Sequence, residues 1–147
     1  MAGPAHFILY VDDQVTATAF WTAVLGRSPS LDVPGMTEFT LTPGTVLGLM
    51  PEASIRALLG PVLPDLAPAR SIPRCELYLV VDDPQGHHAR ALAAGARELS
   101  PLRQRRWGDK AAYSLDRDGH VIAFASRPQN QIPLGLPDDT TSVSNSL

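Results

Sequence analysis

His-Phe-Ile-Leu-Tyr-Val-Asp-Asp, residues 6–13, has a counterpart 70 positions later in Glu-Leu-Tyr-Leu-Val-Val-Asp-Asp, residues 76–83. Both segments are short apolar runs rich in β-branched and aromatic residues, a pattern typical of a strand buried on both faces. Leu9 matches Leu79, Val11 matches Val81, and each run ends in a pair of aspartates. A match at constant offset predicts that the chain contains the same structural unit twice.

Each of these strand-like segments is followed by the start and stop signals of a helix. Asp13 and Asp83 stand where an N-cap carboxylate accepts the unpaired N–H groups of a first turn, and Pro84 suits the first helical position. Gly26 and Gly95 can end the two helices in a left-handed conformation. The spacing i, i+3, i+4, i+7, i+8 predicts a buried face for the first helix on Ala17, Phe20, Trp21, Val24 and Leu25.

Three strand-like runs, separated by turn signals, follow each helix, so each half is predicted to be a βαβββ module. The runs cover about 28–32, 38–41 and 45–50 in the first half, and about 97–105, 110–115 and 120–126 in the second. We therefore predict an α+β fold of tandem βαβββ modules at 1–50 and 75–127. Residues 51–74 are predicted to be a proline-rich linker with a short helix near 54–59. Residues 128–147 are predicted to be a tail that is flexible or contacts a partner.

Composition excludes several classes of function. The net charge of −3 repels a phosphate backbone, and the arginines of 103–106 are isolated and expected to be solvated, so no nucleic-acid partner is predicted. No run approaches the roughly 18 apolar residues of a membrane helix, and the first residues lack the features of a secretory signal. The single Cys75 excludes an internal disulfide and fits a reducing compartment, so we expect a cytoplasmic protein.

The tandem modules and two motifs resemble the vicinal-oxygen-chelate superfamily, which includes glyoxalase I, fosfomycin-resistance transferases, extradiol dioxygenases and bleomycin-resistance proteins. The first motif runs from His6 through Asp13 to Phe20-Trp21 and Leu25-Gly26; the second runs from Trp107-Gly108 to Asp116-Arg117-Asp118-Gly119-His120. The resemblance covers roughly residues 5–127. It implies a glyoxalase-like fold in which curved mixed sheets enclose a cleft, with helices outside. It also implies a homodimer, because clefts in this superfamily are often built or closed at a two-fold interface.

Alternation along the first strand of each module assigns side chains to its two faces. In the first module, Phe7, Leu9 and Val11 are expected to pack under the helix, and His6, Ile8 and Tyr10 are expected to face the cleft. In the second module, the residues expected to face the cleft are Glu76, Tyr78 and Val80.

The resemblance also indicates where a divalent metal would be held, by His, Glu or Gln on the first and last strands of the modules. His6 and Glu76 stand at two of these positions, but the other two fall on Gly48 and Ala123, which have no ligating side chain. Such a site needs three or four N or O ligands. One interpretation is therefore that His6 and Glu76 form a hydrogen-bonded or charge-paired couple at the cleft floor.

The alternative is a metal site in a shifted register, in which Glu38 or Glu52 completes the ligand set of His6 and Glu76.

The other histidines are weaker candidates for metal ligands. His87 and His88 are adjacent on a helix and point about 100° apart, so they are expected to be solvated. His120 is expected to order the turn that precedes the last strand.

Two functions are predicted as alternatives. The first is a metal-independent protein that binds a small hydrophobic or aromatic molecule, similar to the bleomycin-resistance branch. Its cleft would be lined by Ile8, Tyr10, Tyr78, Trp107 and Tyr113, and widened by the small residues at 48 and 123. The second is a lyase, isomerase or transferase of the glyoxalase I or fosfomycin-resistance type. There His6 and Glu76 would hold Ni, Zn, Mn or Fe, and Glu76 would double as the catalytic base.

Overall fold

Residues 3–128 are described by a computed structural model, so the tail at 129–147 lies outside the described residues. The first half contains β1 (Ala5–Val11), α1 (Gln14–Leu25), β2 (Leu31–Val33), β3 (Met36–Thr42) and β4 (Thr45–Pro51). The connecting segment contains α2 (Glu52–Leu59) and two 3-10 turns at Gly60–Val62 and Ala67–Ser71. The second half contains β5 (Glu76–Val80), α3 (Pro84–Ala93), β6 (Arg97–Gln104), β7 (Lys110–Leu115) and β8 (Val121–Ser126). The prediction of two βαβββ modules in an α+β fold is confirmed.

The two modules form two mixed sheets of identical topology, with strand orders β1-β4-β3-β2 and β5-β8-β7-β6. The first and last strands of each module pair in parallel, and this places Ile8 opposite Gly48 and Tyr78 opposite Ala123. Among the described residues, no strand pairing joins one sheet to the other. Each sheet is therefore complete within its own module.

α1 and α3 begin and end where the sequence predicts. The carboxylate of Asp13 accepts a hydrogen bond from the Val15 amide, and that of Asp83 accepts one from the Gly86 amide. A side chain at Gly86 would clash with the Asp83 carboxylate in its present position, so the capping carboxylate would have to shift to admit one. Gly26 ends α1 with a φ of 66°, in the left-handed region that favours glycine.

The two modules share one hydrophobic core, which forms where α1 and α3 pack against each other. Trp21 and Val24 of α1 and Phe124 of β8 belong to this single cluster, each at most 1% exposed. The Arg90 Nε atom of α3 also donates a hydrogen bond to the Val24 carbonyl. Within the described part of the chain, no helix is long and apolar enough to cross a membrane.

The sequence-based expectations for the environments of Phe7 and His88 are wrong. Phe7 is 54% exposed rather than packed under the helix, and α1 makes its main strand contacts with β4 and β3. His88 is 2% exposed, and its Nε2 lies 2.9 Å from Glu98 Oε2. The short helix predicted near 54–59 is present and spans Glu52–Leu59, with Glu52 buried and paired with Arg56 one turn later.

Asp116 organises the turn between β7 and β8. His120 takes part in this arrangement, as expected from the sequence. One carboxylate oxygen of Asp116 accepts hydrogen bonds from the backbone amides of Asp118 and His120, and the other lies 2.8 Å from His120 Nδ1. Burial of the imidazole acts to lower the pKa of His120, but the hydrogen bond and charge of Asp116 outweigh it. The pKa is therefore raised above 6.5.

This raised pKa predicts that the His120–Asp116 pair stabilises the fold at low pH. The contribution is fully present below 6.5 and is lost as the pH rises through the higher pKa of the folded state. We expect His120→Gln to lower the free energy of unfolding by about 1.5–3 kcal/mol at pH 6 and by less at pH 9. Urea unfolding at both pH values measures this difference. Asp116→Asn should also reduce the pH dependence, and an unchanged dependence in both variants would contradict the assignment.

Candidate functional site

The uncovered face of the first sheet, here called the first face, carries His6, Ile8, Tyr10, Met36, Glu38, Gly48 and Met50. The expectation that Gly48 widens a cleft is wrong. A Cβ atom at this position would lie 3.1 Å from Ile8 Cγ1 and 3.4 Å from Met36 Sδ. The neighbouring side chains therefore already occupy the space over Gly48, while Ile8 remains 41% exposed.

On this face, His6 forms a pair with Glu38 rather than with Glu76. The His6 Nδ1 and Glu38 Oε1 atoms are 3.6 Å apart, with the two side chains 41% and 24% exposed. Glu38 stands opposite Gly48 on β4, so no β4 side chain at that position separates β3 from β1. Glu76 lies on the other sheet and, among the described residues, forms no hydrogen bond or ion pair with His6.

The uncovered face of the second sheet, here called the second face, carries Glu76, Tyr78, Val80, Tyr113 and Ala123, with Trp107 beside it. A chain of hydrogen bonds runs through its aromatic residues. Trp107 Nε1 donates to the Tyr78 hydroxyl at 3.0 Å, and that hydroxyl donates to Asp109 Oδ2 at 2.7 Å. Three of the five predicted ligand-binding residues, Tyr78, Trp107 and Tyr113, therefore lie together, whereas Ile8 and Tyr10 lie on the first sheet.

Asp109 anchors this network and was not identified from the sequence. It is 1% exposed, and its Oδ2 atom also lies 3.5 Å from Arg127 Nε. Its Oδ1 atom is buried with no hydrogen-bond partner among the described residues. The turn that positions it closes through a 2.7 Å hydrogen bond from the Arg105 amide to the Asp109 carbonyl, with Gly108 at a φ of 100°.

Arg105 supports the other aromatic residue of the second face, so the expectation that it is solvated is wrong. Its guanidinium carbon lies 5.0 Å from the centre of the Tyr113 ring. Its Nη2 atom donates to Ser100 Oγ and to the Ala111 carbonyl, each at 2.8 Å. Burial, followed by the negative charge of Glu76, raises the pKa of Tyr113.

The network also fixes the protonation state of Tyr78. Burial and the hydrogen bond to Asp109 raise the pKa of Tyr78 to about 12. The hydroxyl therefore stays protonated at neutral pH, donates to Asp109 and accepts from Trp107. Because the hydroxyl already donates one hydrogen bond and accepts another, Tyr78 holds the aromatic side chains of the second face in place rather than exchanging protons.

Tyr78→Phe is expected to reduce both the stability and its dependence on alkaline pH. A pKa raised from 10 to about 12 stabilises the fold fully below pH 10, and this contribution is lost between pH 10 and about 12. At pH 8 the loss of the donor to a buried carboxylate should cost about 1–3 kcal/mol. Denaturant unfolding from pH 8 to pH 11 measures both effects. Tyr10→Phe, on the other sheet, is the matched control, and equal behaviour of the two variants would contradict the network.

The described residues of one chain do not fit a metal centre at the predicted position. His6 has one neighbouring carboxylate, Glu38, and positions 48 and 123 offer no ligand atom. Among the described residues, the group of three potential ligands consists of Asp116, Asp118 and His120, in the β7–β8 turn and not on either face. Since a metal site requires three or four converging donors, no chemical step is assigned to a metal here.

Comparisons with solved structures agree with this architecture. A glyoxalase-related enzyme from Fulvimarina pelagi superposes with a TM-score of 0.72 at 22% identity, covering 87% of this chain and 90% of that one. A glyoxalase/bleomycin resistance protein/dioxygenase from Nocardioides gives 0.64 at 23%, covering 93% and 92%. A glyoxalase/bleomycin resistance protein/dioxygenase family enzyme from Burkholderia phytofirmans gives 0.71 at 18%, covering 85% and 98%. At these identities the likeness shows the fold alone.

Sequence comparison defines the family. Among curated protein sequences, none matches the chain significantly. The family model for the glyoxalase-like domain matches residues 6–125, from the start of β1 to the end of β8. That span includes both modules and every residue of the two faces described above. The chain therefore belongs to the glyoxalase-like domain family, within the vicinal-oxygen-chelate superfamily.

Proposed function

We propose that the protein is a cytoplasmic small-molecule-binding protein that holds a flat hydrophobic or aromatic ligand against the second face without a metal. The observation that carries this proposal is the Trp107–Tyr78–Asp109 network. Trp107 is 46% exposed, yet its indole nitrogen is fixed by the Tyr78 hydroxyl. An exposed aromatic ring held in one orientation loses little conformational freedom when a ligand stacks on it.

The arrangement of the polar groups around the aromatic residues of the second face favours ligand binding over catalysis. The Tyr78 hydroxyl donates one hydrogen bond and accepts another, and Arg105 is held by three acceptors against the Tyr113 ring. A few fixed polar groups around an apolar, aromatic surface are typical of sites that orient a ligand. The side chain of Glu76 is exposed at the edge of this face and makes no hydrogen bond among the described residues, so its carboxylate can accept one from a ligand.

We further propose that a homodimer closes the site. In each module the first strand pairs on one side only, which leaves the outer edges of β1 and β5 without a partner strand in the described chain. β1 and β5 are regular edges with exposed apolar residues, Phe7 at 54% and Val80 at 50%. Unprotected edges of this kind readily pair with another chain. A partner subunit at these edges would place its first face next to the second face.

Ligand-induced thermal stabilisation tests the proposed function. A panel of aromatic antibiotics and glutathione adducts should contain a compound that raises the melting temperature by mass action. At a concentration of 100 times its Kd, this compound should increase the free energy of unfolding by about 2.7 kcal/mol. Trp107→Ala should weaken that compound by about ten-fold, since stacking and burial of the indole are both lost. Leu58→Ala removes a 70% exposed side chain from α2 and should have no effect.

Metal analysis separates this proposal from the metal-dependent enzyme. The His6–Glu38 pair is the observation that favours the second candidate, since it brings two donor groups together. Protein purified without chelator is expected to contain no stoichiometric transition metal. Near-stoichiometric Ni, Zn, Mn or Fe that disappears in His6→Ala would overturn the proposal in favour of a lyase, isomerase or transferase.

A further inference from the structure

A cavity of about 390 Å³ lies at the junction of the two modules and shares no lining residue with the first or second face. We call it the junction pocket. It is bounded by the residues preceding α1, by the first turns of α1, by Ala94 and by the β7–β8 turn. The Asp12 amide donates a 2.9 Å hydrogen bond to Asp118 Oδ1 and so ties the two modules together at this pocket. Its volume falls within the range of pockets that bind one small molecule.

Part of the wall is apolar and belongs to the shared core. Phe20 and Trp21 line it from α1, and Ala94 lines it from the end of α3. Both aromatic side chains are buried, at 8% and 1% exposed, and their rings are arranged edge to face. The two rings therefore back this side of the pocket rigidly, and its apolar surface, to which Ala19 and Ala94 also contribute, suits a hydrocarbon or aromatic group.

The rest of the wall carries excess negative charge. Asp12, Asp13, Asp116 and Asp118 line it, against the single guanidinium of the exposed Arg117. Asp13 is satisfied as the helix cap and Asp116 by His120, so their hydrogen-bonding capacity is largely used.

Asp118 is the carboxylate best placed to receive a ligand. It is half-buried, and among the described residues it accepts one hydrogen bond, from the Asp12 amide. Burial and the charges of Asp116 and Asp12 raise the pKa of Asp118. A positive group in the pocket would offset this repulsion and supply the missing donors.

We infer that the junction pocket binds a small organic cation, an ammonium or guanidinium group on an apolar body. The charged group pairs with Asp118, and the body lies against the apolar side of the pocket formed by Ala19, Phe20 and Ala94. Neutral molecules of the same shape lack the charge that the carboxylates favour, and anions are repelled by them. This site does not depend on the proposed function of the second face.

Binding of benzylamine, which is protonated at neutral pH, tests this inference by amide chemical-shift titration. Benzyl alcohol and benzoate serve as the neutral and anionic analogues of the same size. Benzylamine should shift the amides of Thr16, Ala17 and Asp118 in a saturable manner and leave those of Tyr78 and Tyr113 unchanged. The two analogues should bind at least about ten-fold more weakly, because they lack a charge-assisted hydrogen bond.

Two variants make the result specific to the pocket. Asp118→Asn keeps the acceptor for the Asp12 amide but removes the charge, and should weaken benzylamine by about ten-fold or more. Asp65→Asn removes an equal charge from an exposed position in the connecting segment and should change nothing. Ala94→Leu should abolish binding by filling the cavity. Equal binding of benzylamine and benzyl alcohol, no binding of benzylamine, or equal affinity in both Asn variants would each overturn the inference.

Discussion

Trp21→Ala is expected to lower the free energy of unfolding by about 3–5 kcal/mol, the usual cost of removing a large aromatic side chain from a core. Trp21 is 1% exposed and packs edge to face against Phe20, with ring centroids 5.4 Å apart. It belongs to the cluster that joins α1 to α3, so the cavity left behind would loosen both modules. Since domains of this size are stable by about 5–15 kcal/mol, the variant should be marginal at 37 °C.

Urea unfolding followed by circular dichroism measures this effect. Val15→Ala is the control, because Val15 lies on the same helix with its side chain 78% exposed, and its loss should cost less than about 0.5 kcal/mol. A shared core also predicts that both modules unfold in a single transition. A cost below about 1 kcal/mol for Trp21→Ala, or two separate transitions, would show that the modules are stable independently.

The modular fold could be predicted from the sequence because the features that indicate it act locally. The repeated strand, the capping carboxylates of Asp13 and Asp83 and the glycine after α1 each act within a few residues of their own position. Their agreement across two copies fixed the element order. The burial of His88 was also accessible: Pro84, His88 and Ala91 are all buried and fall at the i, i+4, i+7 spacing of one helical face.

The organisation of the second face could not be predicted in the same way. Asp109 follows Trp107-Gly108 and has the pattern of an ordinary turn residue. Its burial depends on Tyr78, which lies 31 positions away and approaches only after β5 has paired with β8 and β7 with β8. Similarly, the spacing around Gly48 does not show that Ile8 leans over it from the neighbouring strand. Such contacts depend on the tertiary structure.

The proposed dimer depends on which edges of the sheets are open to another chain. Each sheet has two edge strands. In each module one of them, β2 or β6, is protected against pairing with another chain. β2 has only three residues, and β6 contains Pro101 and two register shifts. Short or irregular edge strands resist pairing with other chains. β1 and β5 have neither form of protection, so they are the edges expected at a dimer interface.

Val80→Arg is therefore expected to convert the proposed dimer into a monomer. A charged side chain on an edge strand opposes strand-to-strand association, and Val80 is 50% exposed on β5. Size-exclusion chromatography with light scattering should give twice the 15.8 kDa chain mass for the wild type and 15.8 kDa for the variant. Val15→Arg places the same charge on the outside of α1 and should leave the dimer intact. A wild-type mass of 15.8 kDa at micromolar concentration would show that one chain forms the site alone, and a dimeric Val80→Arg would place the interface elsewhere.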